Sequence, residues 1–299
     1  MKTVTVDYGL YSVIEETAKS LYIKALKDLP PDVRQALQNA YEIEEEENPK
    51  KILSTMLEAI KISDNKQCLL CQDTGIPLYF IKIGSRLNID IPRLQKAIIR
   101  GTERATVEHP LRSSVCHPIK RTNHQTSTGY RIPLINLDFV EDGDNLEILM
   151  VPKGSGSENM SFLKMLIPAE GIRGVKKFII DSVLEAGANP CPPFVIGVGL
   201  GGTSDLCVKL AKLAAVTRPL DSRHEDPDIA ALEEELLEAV NQLGIGPMGL
   251  GGKTTALALN IEYAYTHITQ NPVAVNIQCW PARRARAKID VNGKVEFGY

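Results

Sequence analysis

Six cysteines, at positions 68, 71, 116, 191, 207 and 279, are the most specific chemistry the chain offers. Cys68 and Cys71 form a C-x-x-C pair, which alone suggests redox chemistry or half of a zinc site. No second pair and no C-x-x-H follows, so a zinc knuckle is incomplete. Cys207 falls in an apolar helical pattern and reads as core. Cys116, beside His117 in a polar stretch, reads as a loop residue. Cys191 stands between Pro190 and Pro192, where the fixed proline angles stiffen the backbone and nothing calls for a small hydrophobe. Cys279 closes an apolar run and is followed by Trp280, Pro281 and a basic segment. By spacing alone, a site shared by Cys71, Cys191 and Cys279 is one option among several.

Basic side chains offer a second lead. Arg283, Arg284 and Arg286 follow Cys279, and Arg112, Lys120 and Arg121 crowd the polar middle of the chain. The planar guanidinium pairs bidentately with carboxylates, which suits a small dianionic acid. From charge alone, an ordinary solvated surface or an RNA contact is the favoured reading. Two glycine clusters resemble nucleotide loops but miss the register. Around Gly197, Gly199, Gly201 and Gly202 the G-x-G-x-x-G register does not fall at the required turn between strand and helix. In the stretch ending Gly252-Lys253-Thr254, the first glycine of a phosphate loop would fall on Pro247. Such loops instead allow close backbone approach to a compact group.

These residues must be positioned by a chain of 299 residues carrying 34 Lys plus Arg against 37 Asp plus Glu, a formal charge of −3. That balance argues against a nucleic-acid binder working through bulk positive charge. No apolar run approaches the length of roughly 18 residues that a membrane span needs. The opening MKTVTVDYGL is too polar for a secretory leader, so a cytoplasmic protein is expected.

The front of the chain reads as helical: Leu10, Val13, Ile14, Thr17, Ala18 and Leu21 share one helix face. After Pro30 and Pro31 the pattern resumes through Val33, Leu37 and Ala40, with residues 44–47 as its wet acidic end. Asn48 and Pro49 suggest the cap and first turn of a third helix faced by Ile52, Met56 and Ile60. Short β-branched or aromatic runs at 79–83, 132–139 and 146–151 read as strands. Ser155 and Glu158 have capping-box spacing, which predicts a helix carrying Phe162, Leu163 and Leu166. Residues 172–186 read as a helix stopped by Gly187, 194–200 as a buried strand, and Thr203 as the cap of a helix to Val216. In the next helix Ile229, Leu232, Leu236, Val240 and Leu243 face inward, while Glu233–Glu235 and Glu238 face water. Residues 273–279 resemble a core strand, and Asn292-Gly293 signals a hairpin. The expectation is an α+β fold, with 1–299 as a single catalytic domain and 1–65 as its helical subregion.

Four separated motifs are similar, in order, to the class I fumarate hydratase and L-tartrate dehydratase family. They are Cys71-Gln72-Asp73-Thr74-Gly75, Ala188-Asn189-Pro190-Cys191-Pro192-Pro193, the glycine-rich 198–205, and Cys279-Trp280 followed by Arg283-Arg284. The resemblance implies that Cys71, Cys191 and Cys279 hold a [4Fe-4S] cluster with one iron lacking a protein ligand. It implies catalytic roles for Asp73 and His267, and substrate-binding roles for Gln72, Arg112, Gly154 and Arg283. The Gly154-Ser155-Gly156-Ser157 segment departs from the purer glycine run of many relatives. Single-chain members of the family are much longer, and their second half supplies a catalytic threonine. The chain therefore resembles the α subunit of the two-subunit form, needing a β subunit and expected as an α2β2 heterotetramer acting on a small dicarboxylate, without nucleic acid or membrane. Hydration of fumarate to L-malate is the expected reaction, with dehydration of L(+)-tartrate to oxaloacetate as the alternative. A reading of a different class is an iron–sulfur structural or RNA-binding module that uses Arg283, Arg284 and Arg286.

Overall fold

A computed structural model describes residues 4–5 and 8–299. The helical front contains a short strand β1 (Val4–Thr5), then α1 (Tyr8–Lys27), α2 (Pro31–Ile43) and α3 (Glu47–Lys66). Next come β2 (Ile76–Gly84), β3 (Leu87–Asn88), α4 (Ile91–Glu108), β4 (Leu134–Val140) and β5 (Leu146–Lys153). The single turn α5 (Ser155–Glu158) leads to β6 (Ser161–Leu166), α6 (Gly171–Ala186), β7 (Phe194–Gly201), α7 (Ser204–Val216) and α8 (Pro227–Asn241). Four strands complete the order: β8 (Ala256–Ala264), β9 (Asn271–Gln278), β10 (Ala285–Ile289) and β11 (Val295–Gly298). This is the α+β fold expected from the sequence, with its helical front. Of the ten opening residues that argued against a leader, 1–3 and 6–7 lie outside the described residues. No described helix is long and apolar enough to cross a membrane.

The chain forms two compact units, each assembled from separated segments: Met1–Pro30, Ile62–Gly154 and Arg283–Tyr299 make one, and Pro31–Lys61 and Ser155–Ala282 the other. The first unit is built on a five-stranded sheet ordered β11-β10-β5-β2-β4, in which β2 pairs antiparallel with β5 and parallel with β4. Ile14, Ala18, Leu21 and Tyr22 of α1 and Leu94, Ile98 and Ala105 of α4 form its core with Tyr79, Ile81, Ile148 and Met150. Helix α4 went unread in the sequence. Its buried stripe includes Ala97, Gly101, Thr102 and Thr106, too small or too polar to announce a face, although Asp90 caps it through the amide of Arg93 at 3.0 Å.

The second unit is built on a four-stranded sheet ordered β6-β9-β7-β8. Phe194, Ile196 and Val198 of β7 pack with α6 and α8 through Ile179, Val183, Leu236 and Val240. The alternate positions of the same strand face α7. There a Cβ on Gly197 or Gly199 would lie 2.0 Å from the carbonyl oxygens of Ala211 or Cys207. This part of the glycine cluster thus brings a helix close to a strand, with no nucleotide loop involved.

Several local expectations are corrected. Ser155 and Glu158 close only one helical turn, and Phe162, Leu163 and Leu166 lie on strand β6, which pairs antiparallel with β9. Glu158 instead pairs with Lys212, and the alternation of Phe162 and Leu166 toward the core is strand periodicity. Glu44 is not a wet helix end: it is fully buried, because its carboxylate accepts backbone amides. Asn48 lies inside the first turn of α3, where the amide of Lys50 donates to the carbonyl of Glu46 at 3.1 Å. Glu233 is also buried, held by Arg218 at 2.6 Å and by the amide of Ile261 at 2.7 Å, so it does not share the wet face of Glu234 and Glu235. The hairpin forms, but through the wider turn between Ile289 and Val295, with Asp290 accepting the amides of Asn292 and Lys294.

Candidate active site

In the first unit the Cys71–Gly75 motif forms a tight turn just before β2. The amide of Gly75 donates to Asp73 Oδ1 at 2.8 Å, an Asx-type bond that fixes the carboxylate against its own backbone. Gly75 has a φ of +70°, and a Cβ there would lie 2.6 Å from the carbonyl carbon of Pro152. Only glycine lets the turn rest on the end of β5, where Lys153 and Gly154 follow. Thr74 is fully buried and donates from Oγ1 to the carbonyl of Arg112. The motif therefore brings Asp73, Arg112 and the Lys153–Gly154 corner into one neighbourhood. The side chains of Gln72 and Arg112 are exposed, and Gly154 is buried.

Beneath this turn lies a group the sequence did not reveal. Tyr22 of α1 is fully buried, and its Oη donates to the carbonyl of Thr74 at 3.1 Å. Burial raises the phenol's pKa, Arg283 opposes the rise, and Asp73 adds to it. Both charges thus act on the same phenol. Arg283 is 1% exposed, yet its Nε and Nη1 have no hydrogen-bond partner among the described residues. Lys153 and Arg284 are buried as well. A buried cation with open donors is costly unless an anion completes it, and a carboxylate matches the guanidinium fork. Burial of Arg283 and Arg284 also removes two of the three arginines that an RNA-binding reading would need at the surface; only Arg286 is exposed.

The second unit carries Cys191 and Cys279. Cys191 is exposed and adopts a left-handed φ of +58°, a conformation that non-glycine residues rarely hold without support. Its amide donates to the carbonyl of Ala188 at 3.1 Å, and its carbonyl accepts the amide of Trp280 at 3.2 Å. The two cysteine loops are therefore tied through their backbones. Cys71, partly buried, belongs to the first unit. Among the described residues no three or more His, Cys, Asp or Glu side chains gather as a metal-binding group. The donor set nonetheless fits an iron–sulfur cluster by its chemistry: it is three thiols, none of them fully buried. Cys207 does not fit. It is fully buried, donates to the carbonyl of Gly199 at 3.2 Å, and its thiol is pushed up to about 11 by burial. Cys68 is exposed and Cys116 partly buried.

His267 sits in the exposed connection between β8 and β9. Its Nδ1 accepts the amide of Thr269 at 3.2 Å and lies 2.8 Å from Thr269 Oγ1. In the neutral ring this leaves the proton on Nε2, so the ring is oriented as a donor. The connection is anchored to the glycine motif, since Thr266 Oγ1 and Gln270 Nε2 donate to the carbonyl of Gly202 at 3.1 and 3.0 Å.

Comparison with known proteins gives these features a family. The family described as fumarate hydratase matches residues 15–288. A Methanocaldococcus jannaschii protein provisionally named L(+)-tartrate dehydratase subunit alpha is 46% identical over 284 residues, covering 94% of this chain and 99% of that one. The L(+)-tartrate dehydratase subunit alpha of Escherichia coli K12 is 34% identical over 256 residues, covering 86% and 84%. That of Escherichia coli UTI89 is 34% identical over 261 residues, covering 87% and 86%. The chain belongs to the class I fumarate hydratase and tartrate dehydratase α-subunit family, and is the α-type chain of a two-subunit carbon–oxygen hydro-lyase.

Proposed function

We propose that this chain is the α subunit of a [4Fe-4S]-dependent dehydratase acting on a four-carbon hydroxydicarboxylate, with L(+)-tartrate as the substrate. The sequence motifs favoured fumarate; the relatives named above favour tartrate, and that shifts the substrate reading. The observation that carries the proposal is Arg283, buried with open donors and acting, like Asp73, on the charge of the Tyr22 phenol, a place for an anion.

Cys71, Cys191 and Cys279 would hold the cluster, which supplies a Lewis-acidic iron without a protein thiolate to polarise the substrate hydroxyl. Arg112 and Arg283 hold the carboxylates, with Gln72 and the backbone of Gly154 beside them. Asp73, fixed by the Gly75 amide, orients the hydroxyl-bearing carbon. His267 presents its Nε2–H to the departing hydroxyl as the proton donor, its ring held from the other side by Thr269. The proton on carbon is removed by a threonine of the β subunit, in an α2β2 assembly.

Turnover of L(+)-tartrate, L-malate and fumarate should be measured for the anaerobically reconstituted chain alone and with its β subunit. Tartrate turnover that appears only in the pair supports the reading. Malate and fumarate interconversion without tartrate turnover returns the assignment to fumarate hydratase, and turnover by the α chain alone defeats the two-subunit mechanism.

A further inference from the structure

The glycine-rich stretch that resembles a phosphate loop lies against the turn that carries Cys191. The amide of Met248 donates to the carbonyl of Pro192 at 2.9 Å. Met248 itself has a φ of +52°, so two non-glycine residues in the left-handed region stand next to each other. A Cβ on Gly249 would lie 2.5 Å from the Cβ of Ala188, the residue whose carbonyl accepts the amide of Cys191. Strained backbone of this kind persists only where its surroundings over-determine it.

The stretch is fixed at its C-terminal end. Asn241 Oδ1 accepts the amides of Thr255 and Ala256 at 2.8 and 2.9 Å. Nearer the tip, the amide of Lys253 donates to Glu44 Oε2 at 2.7 Å. The other oxygen of Glu44 accepts the amides of Glu45 and Glu46 at 3.0 and 3.1 Å. A carboxylate with no solvent exposure is tolerable only with such donors. Glu44 therefore connects the start of α3 to a loop whose tip grips the residue after Cys191.

We propose that Glu44 and the 245–255 loop form a brace that positions Cys191, holding the left-handed turn that presents its thiol for iron. Glu44 is a positioning residue: it acts through Lys253, Met248 and Pro192 and contacts no reacting atom. The inference rests on the cluster reading above, but its test separates the two. When the brace is released the turn relaxes toward ordinary angles, and iron is held less tightly.

The variants are Glu44→Gln, which keeps the volume but loses the carboxylate, and Gly249→Ala, which forces the loop off Ala188. Val240→Ala, in the core of α8, is the control for general loss of stability. Two readouts are needed: hydrogen exchange of the amides of Cys191 and Trp280 in the cluster-free chain, and iron retention after anaerobic reconstitution. Both brace variants should speed exchange at these amides. They should also weaken iron retention by about 10–100-fold, the usual effect of a residue that supports a metal ligand, while Val240→Ala does neither. Unchanged exchange in both variants overturns the brace. Faster exchange with wild-type iron retention overturns its role toward the cluster. If the wild-type chain takes up no iron, the cluster reading fails while the exchange data still decide whether the brace exists.

Discussion

The amide of Trp280 donates to the carbonyl of Cys191 at 3.2 Å, so the turn after α6 and the end of β9 are joined at the two cysteines of the second unit. Residues 88 positions apart in the sequence are thereby held as one support. On the proposed reading this support supplies two of the three thiolates.

Replacement of the proposed ligands should therefore differ sharply from replacement of the other cysteines. Cys71→Ser, Cys191→Ser and Cys279→Ser should each fail to retain four irons after anaerobic reconstitution. Cys68→Ser should retain them despite its C-x-x-C relation to Cys71. Iron and sulfide analysis with electron paramagnetic resonance checks this. Loss of the cluster in Cys68→Ser with retention in Cys191→Ser would reverse the assignment.

Arg283 should trade stability for function. Its guanidinium is buried with open donors, so Arg283→Met removes a desolvated charge and keeps an apolar stem in place. Folding stability should stay level or rise by about 1 kcal/mol, as when a poorly compensated buried ion is replaced by a hydrophobe. Turnover should fall by at least about 10²-fold if the group holds a substrate carboxylate in the transition state. Denaturant unfolding and steady-state kinetics on the same preparation test both halves.

Tyr22→Phe should loosen the aspartate turn from below. The substitution removes the donor to the Thr74 carbonyl and leaves that carbonyl unsatisfied, which should cost about 1–3 kcal/mol. Activity should fall further than Tyr79→Phe lowers it, although Tyr79 is equally buried, because Tyr79 bonds Thr102 of α4 and not the motif.

The thiol of Cys207 gives an alkaline limit. The folded chain keeps it protonated up to about pH 11, whereas the unfolded chain ionises it near the ordinary value of 9.0. Its contribution to stability is complete below pH 9 and is lost as pH rises toward 11. Cys207→Ala should flatten that part of the stability profile, as measured by urea unfolding between pH 8 and 11. An unchanged slope would show that the thiol is not the group responsible.

The sequence made most helices legible because their faces are built from large apolar residues, as with Ile14, Leu21, Ile179 and Leu236. Strand β6 was hidden by Ser155 and Glu158, whose cap spacing is real but closes only one turn. Helix α4 was hidden by its small and polar buried stripe. Within the site, the turn of Asp73 and the cysteine motifs were readable because glycine and proline mark backbone constraints. Burial of Arg283 was not readable, since a run of arginines looks like a solvated face until the fold covers it. Tyr22 was equally hidden, because on α1 it falls among ordinary core positions. Glu44 appeared as one of four glutamates in a row, and only the approach of Lys253 from far along the chain distinguishes it.

The most direct test of the account is tartrate turnover by the anaerobic α and β pair, followed through aeration, iron removal and restoration with ferrous iron, sulfide and thiol. The account predicts conversion of L(+)-tartrate to oxaloacetate that decays in air and returns on restoration. Full turnover after aeration and complete removal of iron would contradict it.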